Sequence, residues 1–263
     1  MLKALGLMRK AHSEFDAAVA IDPKDPDNLF EKIDFLLQAP VLAGGDRTRA
    51  LDVANELVKI DPARGYLALA RIAWKQKEFG RLEGLYRKAA QSNPQSYEAQ
   101  MALANLYLGN PVVPEDLDAS SRANFHLAEE HARAALDLNP DRIDAYRALV
   151  MALVSGRRWD ETAKVLARVE AAIPDDLSPY VVAARAMLRE GVELTRAESY
   201  LKKYSTQTQE PEVGAPLLAG AHWSLALVYQ KGGRTADART ELETVLRLKP
   251  DFEAARRELE RLR

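Results

Sequence analysis

The feature that most constrains the fold is a closing proline that recurs along the 263-residue chain. Each of these prolines follows a stretch with helical periodicity. Proline ends such a stretch because it lacks the backbone N–H and clashes with the preceding turn. The closing prolines are Pro23, Pro62, Pro140 and Pro250, more loosely Pro94, and more weakly Pro174.

A ladder of small and apolar residues precedes each closing proline, at twelve, eight and five positions upstream. The spacing i, i+4, i+7 places these residues on one helical face, and the small ones let a second helix approach closely. A second helical pattern, such as Tyr146, Leu149 and Leu153, lies upstream of the ladders. The ladders are Ala11, Phe15 and Ala18; Ala50, Ala54 and Leu57; Leu82, Tyr86 and Ala89; Ala128, Ala132 and Ala135; Thr162, Leu166 and Val169; and Ala238, Leu242 and Val245.

This arrangement resembles the tetratricopeptide repeat, in which two antiparallel helices occupy 34 residues and a proline closes the unit. The segment HWSLALVYQKGGRTADARTELETVLRLKP, residues 222–250, fills every signature position with the expected residue type. The resemblance implies an all-α fold, a right-handed superhelical α-solenoid of antiparallel helix pairs. It implies about six to seven repeats and a capping helix at the C-terminal end.

We expect one solenoid over residues 1–263. The polar segment 251–263 would cap the last repeat through Phe252, Ala255 and Leu259, since a terminal repeat has no neighbour to cover it. Two polar, proline-bearing insertions, 109–123 and 206–216, are predicted to be surface loops. The expected units are 1–23 (partial), 24–62, 63–94, 95–140, 141–174, 175–214 and 215–250, followed by the capping helix 251–263.

The N-terminal end departs from the repeat, because Met1 falls near position ten of a unit. Either the chain begins with an irregular cap or it is part of a longer gene product, and we favour the second. The N-terminal residues alternate basic and apolar types too quickly for a signal peptide. The expected compartment is the cytoplasm by default, or the periplasm if a signal sequence has been removed.

The pair Gly44-Gly45, followed by Asp46, lies between two predicted helices and invites comparison with a phosphate-binding loop. Glycine is useful in such a turn because it adopts left-handed backbone angles at little cost. We expect Asp46 to cap the next helix by accepting hydrogen bonds from its first N–H groups. A bound anion at that helix end is the minor alternative.

Composition excludes several classes of function. The 37 Lys and Arg residues are balanced by 39 Asp and Glu spread along the chain, so there is no basic domain for nucleic acid. Cysteine is absent, which rules out thiolate metal sites and a cysteine nucleophile. There is no run of 18 apolar residues, so no membrane insertion is expected.

The histidines do not form a metal or catalytic motif. His126 and His131 are five residues apart, which turns them about 140° from each other on a helix. His126 with Glu130 is expected to be a solvent-facing pair, and His222 a packed inter-helix residue. No nucleophile elbow or phosphate loop is present. We therefore predict no catalytic residues, no metal and no cofactor, and a protein that is not an enzyme.

The family resemblance places the first helix of each repeat on a concave groove that holds peptides or partner domains. Counting from the prolines assigns positions 2, 5, 9 and 12 of each first helix to this groove. Arginine and asparagine suit carboxylates and peptide amides, whereas Met and Trp offer adaptable apolar contact. The apolar members could equally belong to the core. The candidate partner-binding residues are Arg71, Trp74, Met101, Asn105, Arg147, Met151, Arg185 and Trp223.

The function favoured by the sequence is a non-enzymatic scaffold or adaptor that binds a partner peptide or protein segment in this groove. The expected partner carries acidic and apolar residues. The alternative is an accessory subunit of a bacterial periplasmic transport or secretion/envelope assembly, because some such family members carry a similar Gly-Gly-acid turn. The sequence leaves the oligomeric state open.

Overall fold

A computed structural model describes residues 2–109, 124–206 and 211–262, with side chains described for 6–109, 124–206 and 217–262. These residues form α-helices and two short 3₁₀ helices, Val41–Ala43 and Phe79–Arg81, and no strand. The predicted all-α fold of repeated helices is confirmed. The α-helices are α1 (Leu2–Ile21), α2 (Pro26–Gln38), α3 (Arg47–Ile60), α4 (Pro62–Lys75), α5 (Leu82–Ser92), α6 (Tyr97–Tyr107), α7 (Phe125–Leu138), α8 (Ile143–Ser155), α9 (Trp159–Ala172), α10 (Ser178–Glu190), α11 (Leu194–Ser205), α12 (Pro211–Lys231), α13 (Thr235–Leu248) and α14 (Glu253–Arg261).

The helices form two compact units, Met1–Asn139 and Pro140–Arg263, which we call unit 1 and unit 2. The border between them coincides with a predicted repeat boundary at Pro140. In unit 1 each helix from α1 to α7 packs on the next, and α2 also packs on α4. In unit 2 each helix from α8 to α14 packs on the next, and α10 also packs on α8 and α12. The single solenoid over residues 1–263 stays a prediction.

The closing prolines set the ends of the second helices. The helices α1, α3, α5, α7, α9 and α13 each end two residues before their proline. The residue directly before the proline has a non-helical backbone in the five described caps, with φ between −132° and −148° and ψ between 67° and 94°. Proline disfavours the helical conformation in the residue before it, which explains this common geometry.

The predicted ladders form the cores between paired helices. Ala54, Ala132, Leu166 and Leu242 are each at most 1% exposed. In unit 1 the ladder of α3 packs with Ile33 of α2 and neighbouring apolar residues in one cluster. The capping helix α14 is also confirmed, with Ala255 fully buried and Phe252 and Leu259 packed against the ladder of α13.

The Gly-Gly turn is structural. Gly44 has φ of +100°, and the N–H of Gly45 donates to the carbonyl of Pro40 at 3.1 Å. Asp46 accepts hydrogen bonds from the N–H groups of Thr48 (2.9 Å) and Arg49 (3.0 Å). Its predicted capping role is therefore confirmed, and its own carboxylate occupies the donors that an anion would need.

One predicted loop is wrong in part. Within 206–216, residues 211–216 belong to α12, which begins at Pro211. Proline is well tolerated at the first helical position, where its missing N–H would have no helical partner. Residues 207–210 lie outside the described residues, and so do residues 110–123 of the other predicted loop, 109–123.

Candidate functional site

A groove in unit 2 brings together three of the eight predicted partner-binding residues. It has a volume of about 400 Å³ and lies among α8, α10, α11 and α12. The three are Arg147 and Met151 of α8 and Arg185 of α10. The other lining residues are Ser178, Val181, Val182, Ala186, Arg189, Tyr204 and Leu217.

Helix α10 is held in place by a polar cluster that contains Tyr180. The Tyr180 hydroxyl donates to Oε2 of Glu170 on α9 at 3.0 Å, and Lys203 of α11 pairs with Glu170 at 2.6 Å. Burial and the neighbouring Glu170 carboxylate raise the pKa of Tyr180, so its hydroxyl keeps its proton and remains a donor. These contacts fix the helix that carries two groove arginines.

Arg147 is already paired within the protein. Its Nε donates to Oγ of Ser178 at 2.7 Å, and its Nη2 donates to Oδ2 of Asp176 at 3.1 Å. Ser178 is the first residue of α10, so these bonds tie α8 to the start of α10. Arg147 therefore contributes to the groove wall with its charge balanced by Asp176.

Arg185 is oriented by a glycine and a serine on α12. Its Nε donates to Oγ of Ser224 at 3.2 Å, and Ser224 donates to the carbonyl of Gly220 at 2.9 Å. A Cβ on Gly220 would lie 2.6 Å from Nη2 of Arg185, closer than such atoms can pack. The guanidinium thus fills the space that a side chain at position 220 would need.

Sequence counting missed five of the lining residues, Val182, Ala186, Arg189, Tyr204 and Leu217. Arg189 lies one turn after Arg185 on α10 and is exposed, while Leu217 is 55% exposed at the start of α12. Tyr204 closes a ladder with Ala197 and Leu201, spaced i, i+4, i+7 on α11. No closing proline follows this ladder. A search for the i, i+4, i+7 spacing that does not require a proline would find it.

Trp223, the remaining candidate in unit 2, does not line the groove. Its ring lies 5.4 Å from that of Phe252, and both pack in the cluster beneath α14. The neighbouring His222 is the predicted inter-helix residue, with Nδ1 2.6 Å from Oε2 of Glu241 on α13. This part of α12 packs beneath the C-terminal capping helix.

The four candidates in unit 1 do not form one site. Arg71 is ion-paired with Asp34 of α2, and its guanidinium lies 4.5 Å from the ring centre of Phe30. Trp74 packs edge-on against Phe79 at 5.3 Å. Met101 is 6% exposed and belongs to the core, whereas Asn105 is exposed.

One of the grooves in unit 1, of about 390 Å³, is acidic. Among the described side chains, its lining includes one cation, Arg64, which pairs with Asp27. The lining also includes four carboxylates, those of Asp27, Glu31, Asp61 and Glu98. The counting rule of positions 2, 5, 9 and 12 in each first helix also gives Arg64, Leu67 and Glu98, and all three line this groove. This chemistry does not match the expected acidic partner, whereas that of unit 2 does.

The histidines have structural surroundings. His131 faces Oε1 of Gln100 at 2.7 Å and stacks on Tyr107, and burial lowers its pKa, a direction that Arg87 supports and Glu130 opposes. His126 and Glu130 are both exposed. Over residues 2–109, 124–206 and 211–262, no group of three or more His, Asp or Glu residues is placed to hold a metal ion.

None of the helices in the described part of the chain is both long and apolar enough to span a membrane.

Comparisons with known proteins support the fold. A tetratricopeptide-repeat model matches residues 219–252, which contain the segment with the complete signature. No curated protein sequence matches the chain. The chain is similar in structure to several solved tetratricopeptide-repeat proteins, and at identities below 25% this similarity shows the fold alone.

Three of these structures illustrate the similarity. The first is YrrB, described as a tetratricopeptide-repeat protein with an unusual peptide-binding site (17% identity, TM-score 0.50, 79% of this chain and 97% of that one). The second is PilW, a type IV pilus biogenesis factor (18% identity, TM-score 0.58, 82% and 92%). The third is PilF of Pseudomonas aeruginosa (16% identity, TM-score 0.55, 90% and 99%).

Proposed function

We propose that this tetratricopeptide-repeat chain is a non-enzymatic scaffold that binds a segment of a partner protein in the groove of unit 2. The tetratricopeptide repeat is a protein-interaction fold, and YrrB is an example with a peptide-binding site. The observation that carries the proposal is the convergence of Arg147, Arg185 and Arg189 on a groove whose remaining lining is mainly apolar.

The shape and chemistry of the groove suit a short protein segment. Met151, Val181 and Leu217 offer apolar contacts, and Leu217 is 55% exposed although it is a large apolar residue. Burying such a side chain fully stabilises a complex by about 1.5–3 kcal/mol. The arginines add charge-assisted hydrogen bonds to carboxylates. The partner segment therefore carries apolar residues next to acidic ones.

The absence of catalytic function is part of the proposal. Among the described side chains, the groove is lined by arginines, a serine and a buried tyrosine, and by no histidine or carboxylate that could act as a general base. Ser178 Oγ accepts a hydrogen bond from Arg147, and the neighbouring Asp176 carboxylate accepts hydrogen bonds from the Ser178 N–H and from Arg147. This composition favours binding over catalysis.

The experiment is affinity capture of partners from the native host, with the full chain as bait. Two variants alter the groove: Leu217→Asp places a charge on its apolar rim, and Arg185→Glu reverses a charge. Ala167→Asp on the exposed surface of α9 is the matched control. We expect one partner to be lost from both groove variants and retained by the control. All variants should have the same far-UV circular dichroism spectrum as the wild-type protein. Retention of every partner by both groove variants would refute the proposal.

A second candidate is an accessory subunit of a bacterial periplasmic transport or secretion/envelope assembly. PilW, which has a similar fold, is a type IV pilus biogenesis factor. Both candidates use the same groove, so the identity of the captured partner separates them. A component of an envelope assembly would support the second candidate, and any other partner would support the general scaffold.

A further inference from the structure

We propose that Arg185 and Arg189 form a subsite for one carboxylate of the bound segment, and that Gly220 sets the position of Arg185. This inference rests on the proposed function, because the subsite lies in the same groove. It adds which side chains recognise the partner, which chemical group they recognise, and which residue of α12 positions them.

The first observation concerns the arginines on the first helices of the repeats. Arg64 and Arg71 of α4 pair with carboxylates of α2, and Arg147 of α8 pairs with Asp176. Arg185 and Arg189 are the exceptions, since no carboxylate among the described side chains pairs with either of them. The fold supplies a carboxylate to each of the other arginines on these first helices. Arg185 and Arg189 are placed to pair with a carboxylate of a bound partner.

The second observation is the spacing of the two residues. Arg185 and Arg189 are one helical turn apart on α10 and both line the groove. Like charges at i, i+4 destabilise a helix by a few tenths of a kcal/mol. A carboxylate bound between the two guanidinium groups would replace this repulsion with charge-assisted hydrogen bonds.

The third observation is that Arg185 is held in place before any ligand arrives. Its Nε donates to Ser224, which is 3% exposed, and its Nη2 lies 2.6 Å from the position that a Cβ of residue 220 would take. Holding the guanidinium in advance reduces the entropy lost when a ligand binds. Gly220 and Ser224 are therefore positioning residues, and Arg185 and Arg189 are the binding residues.

The test uses three capped dipeptides as probes and the full chain labelled with ¹⁵N. Acetyl-Leu-Glu-amide carries a side-chain carboxylate, acetyl-Leu-Gln-amide is its neutral match, and acetyl-Leu-Gln with a free C-terminus carries a terminal carboxylate. The readout is the Nε–Hε resonances of Arg185 and Arg189 during titration. We expect at least one carboxylate probe to bind about tenfold more tightly than the neutral probe, which corresponds to one charge-assisted hydrogen bond.

The pattern of binding identifies the source of the carboxylate. Tighter binding of the Glu probe assigns the subsite to an acidic side chain, and tighter binding of the free C-terminus assigns it to a chain end. Equal binding of all three probes, or no shift of either arginine resonance, would overturn the carboxylate subsite. The groove-binding function would still stand on the capture experiment, which does not depend on these probes.

The positioning role is tested with Gly220→Ala and Ser224→Ala. The group that an alanine at 220 displaces is the end of a flexible arginine side chain, so the helix should fold normally while the guanidinium moves. We expect each variant to weaken carboxylate binding about fivefold to tenfold while leaving neutral-probe binding unchanged. Gly84→Ala, on α5 with open space around its Cβ position, is the matched control. Unchanged affinity in both Gly220→Ala and Ser224→Ala would overturn the positioning role.

Discussion

Replacing Gly44 with alanine tests whether the Gly-Gly turn is required by the fold of unit 1. The residue has φ of +100°, a region that residues with a Cβ rarely adopt. A Cβ at this position would also lie 2.9 Å from Cγ and Cε1 of His12 on α1. His12 stacks on Phe35 of α2 with ring centres 5.3 Å apart, so the substitution would disturb an inter-helix contact.

The expected loss of stability has two parts. The left-handed conformation costs a residue with a Cβ about 1–2 kcal/mol. Moving His12 away from Phe35 forfeits a stacked ring pair, at about 0.5–1.5 kcal/mol. Together these give a destabilisation of about 1.5–3.5 kcal/mol for Gly44→Ala. The double variant His12→Ala/Gly44→Ala has no such clash, so on the His12→Ala background the glycine substitution should cost only about 1–2 kcal/mol.

Hydrogen exchange measured by mass spectrometry is the suitable assay, because repeat arrays do not always unfold in one step. The protection of amides in α2 and α3 reports the local free energy of opening. Gly84→Ala lies inside α5 with open space around it, so it should stabilise its helix by about 0.5–1 kcal/mol. Wild-type protection in Gly44→Ala would refute the structural role of the turn. An equal cost with and without His12 would refute the proposed clash.

Three further changes test other parts of the fold. Asp46→Ala should destabilise α3 by about 1 kcal/mol, whereas Asp46→Asn should retain most of the cap, as judged by urea midpoints. His131 has a lowered pKa in the folded protein, so the unfolded chain takes up a proton first as the pH falls. The stability that depends on it should be full above its ordinary pKa of 6.5 and fall at lower pH, and His131→Gln should remove this part of the urea pH profile. Leu242→Ala should cost unit 2 about 2–5 kcal/mol by opening a cavity in a fully buried ladder, a loss that calorimetry would detect.

The helices could be predicted from the sequence because their signals are local. A closing proline and an i, i+4, i+7 ladder mark each of the second helices α1, α3, α5, α7, α9 and α13. Each follows from backbone sterics or from packing on one neighbour. Helix α11 lacks the proline, and the start of α12 lies in a segment rich in polar residues and proline. At the second of these places the local signals predicted a loop over 206–216, whereas a helix begins at Pro211.

The groove residues were only partly predictable, because their roles depend on contacts between helices. Met101 and Trp74 have the helical position expected of groove residues, yet neighbouring helices cover the first and Phe79 packs on the second. Arg71 is paired by Asp34, which lies 37 positions away in the sequence. Arg189 was missed because it is one position beyond the last groove position assigned by counting. No local pattern contains this information.

The most direct test of the proposed function is site-specific photo-crosslinking in the native host. A benzophenone amino acid at Met151 would lie in the groove of unit 2, and the same amino acid at Ala167 would lie on the exposed surface of α9. We expect one partner to crosslink at Met151 and not at Ala167, through a segment containing acidic and apolar residues, and to be lost when Arg185 and Arg189 are both changed to glutamate. The same partners crosslinking at both positions, or at Ala167 alone, would contradict binding in the groove.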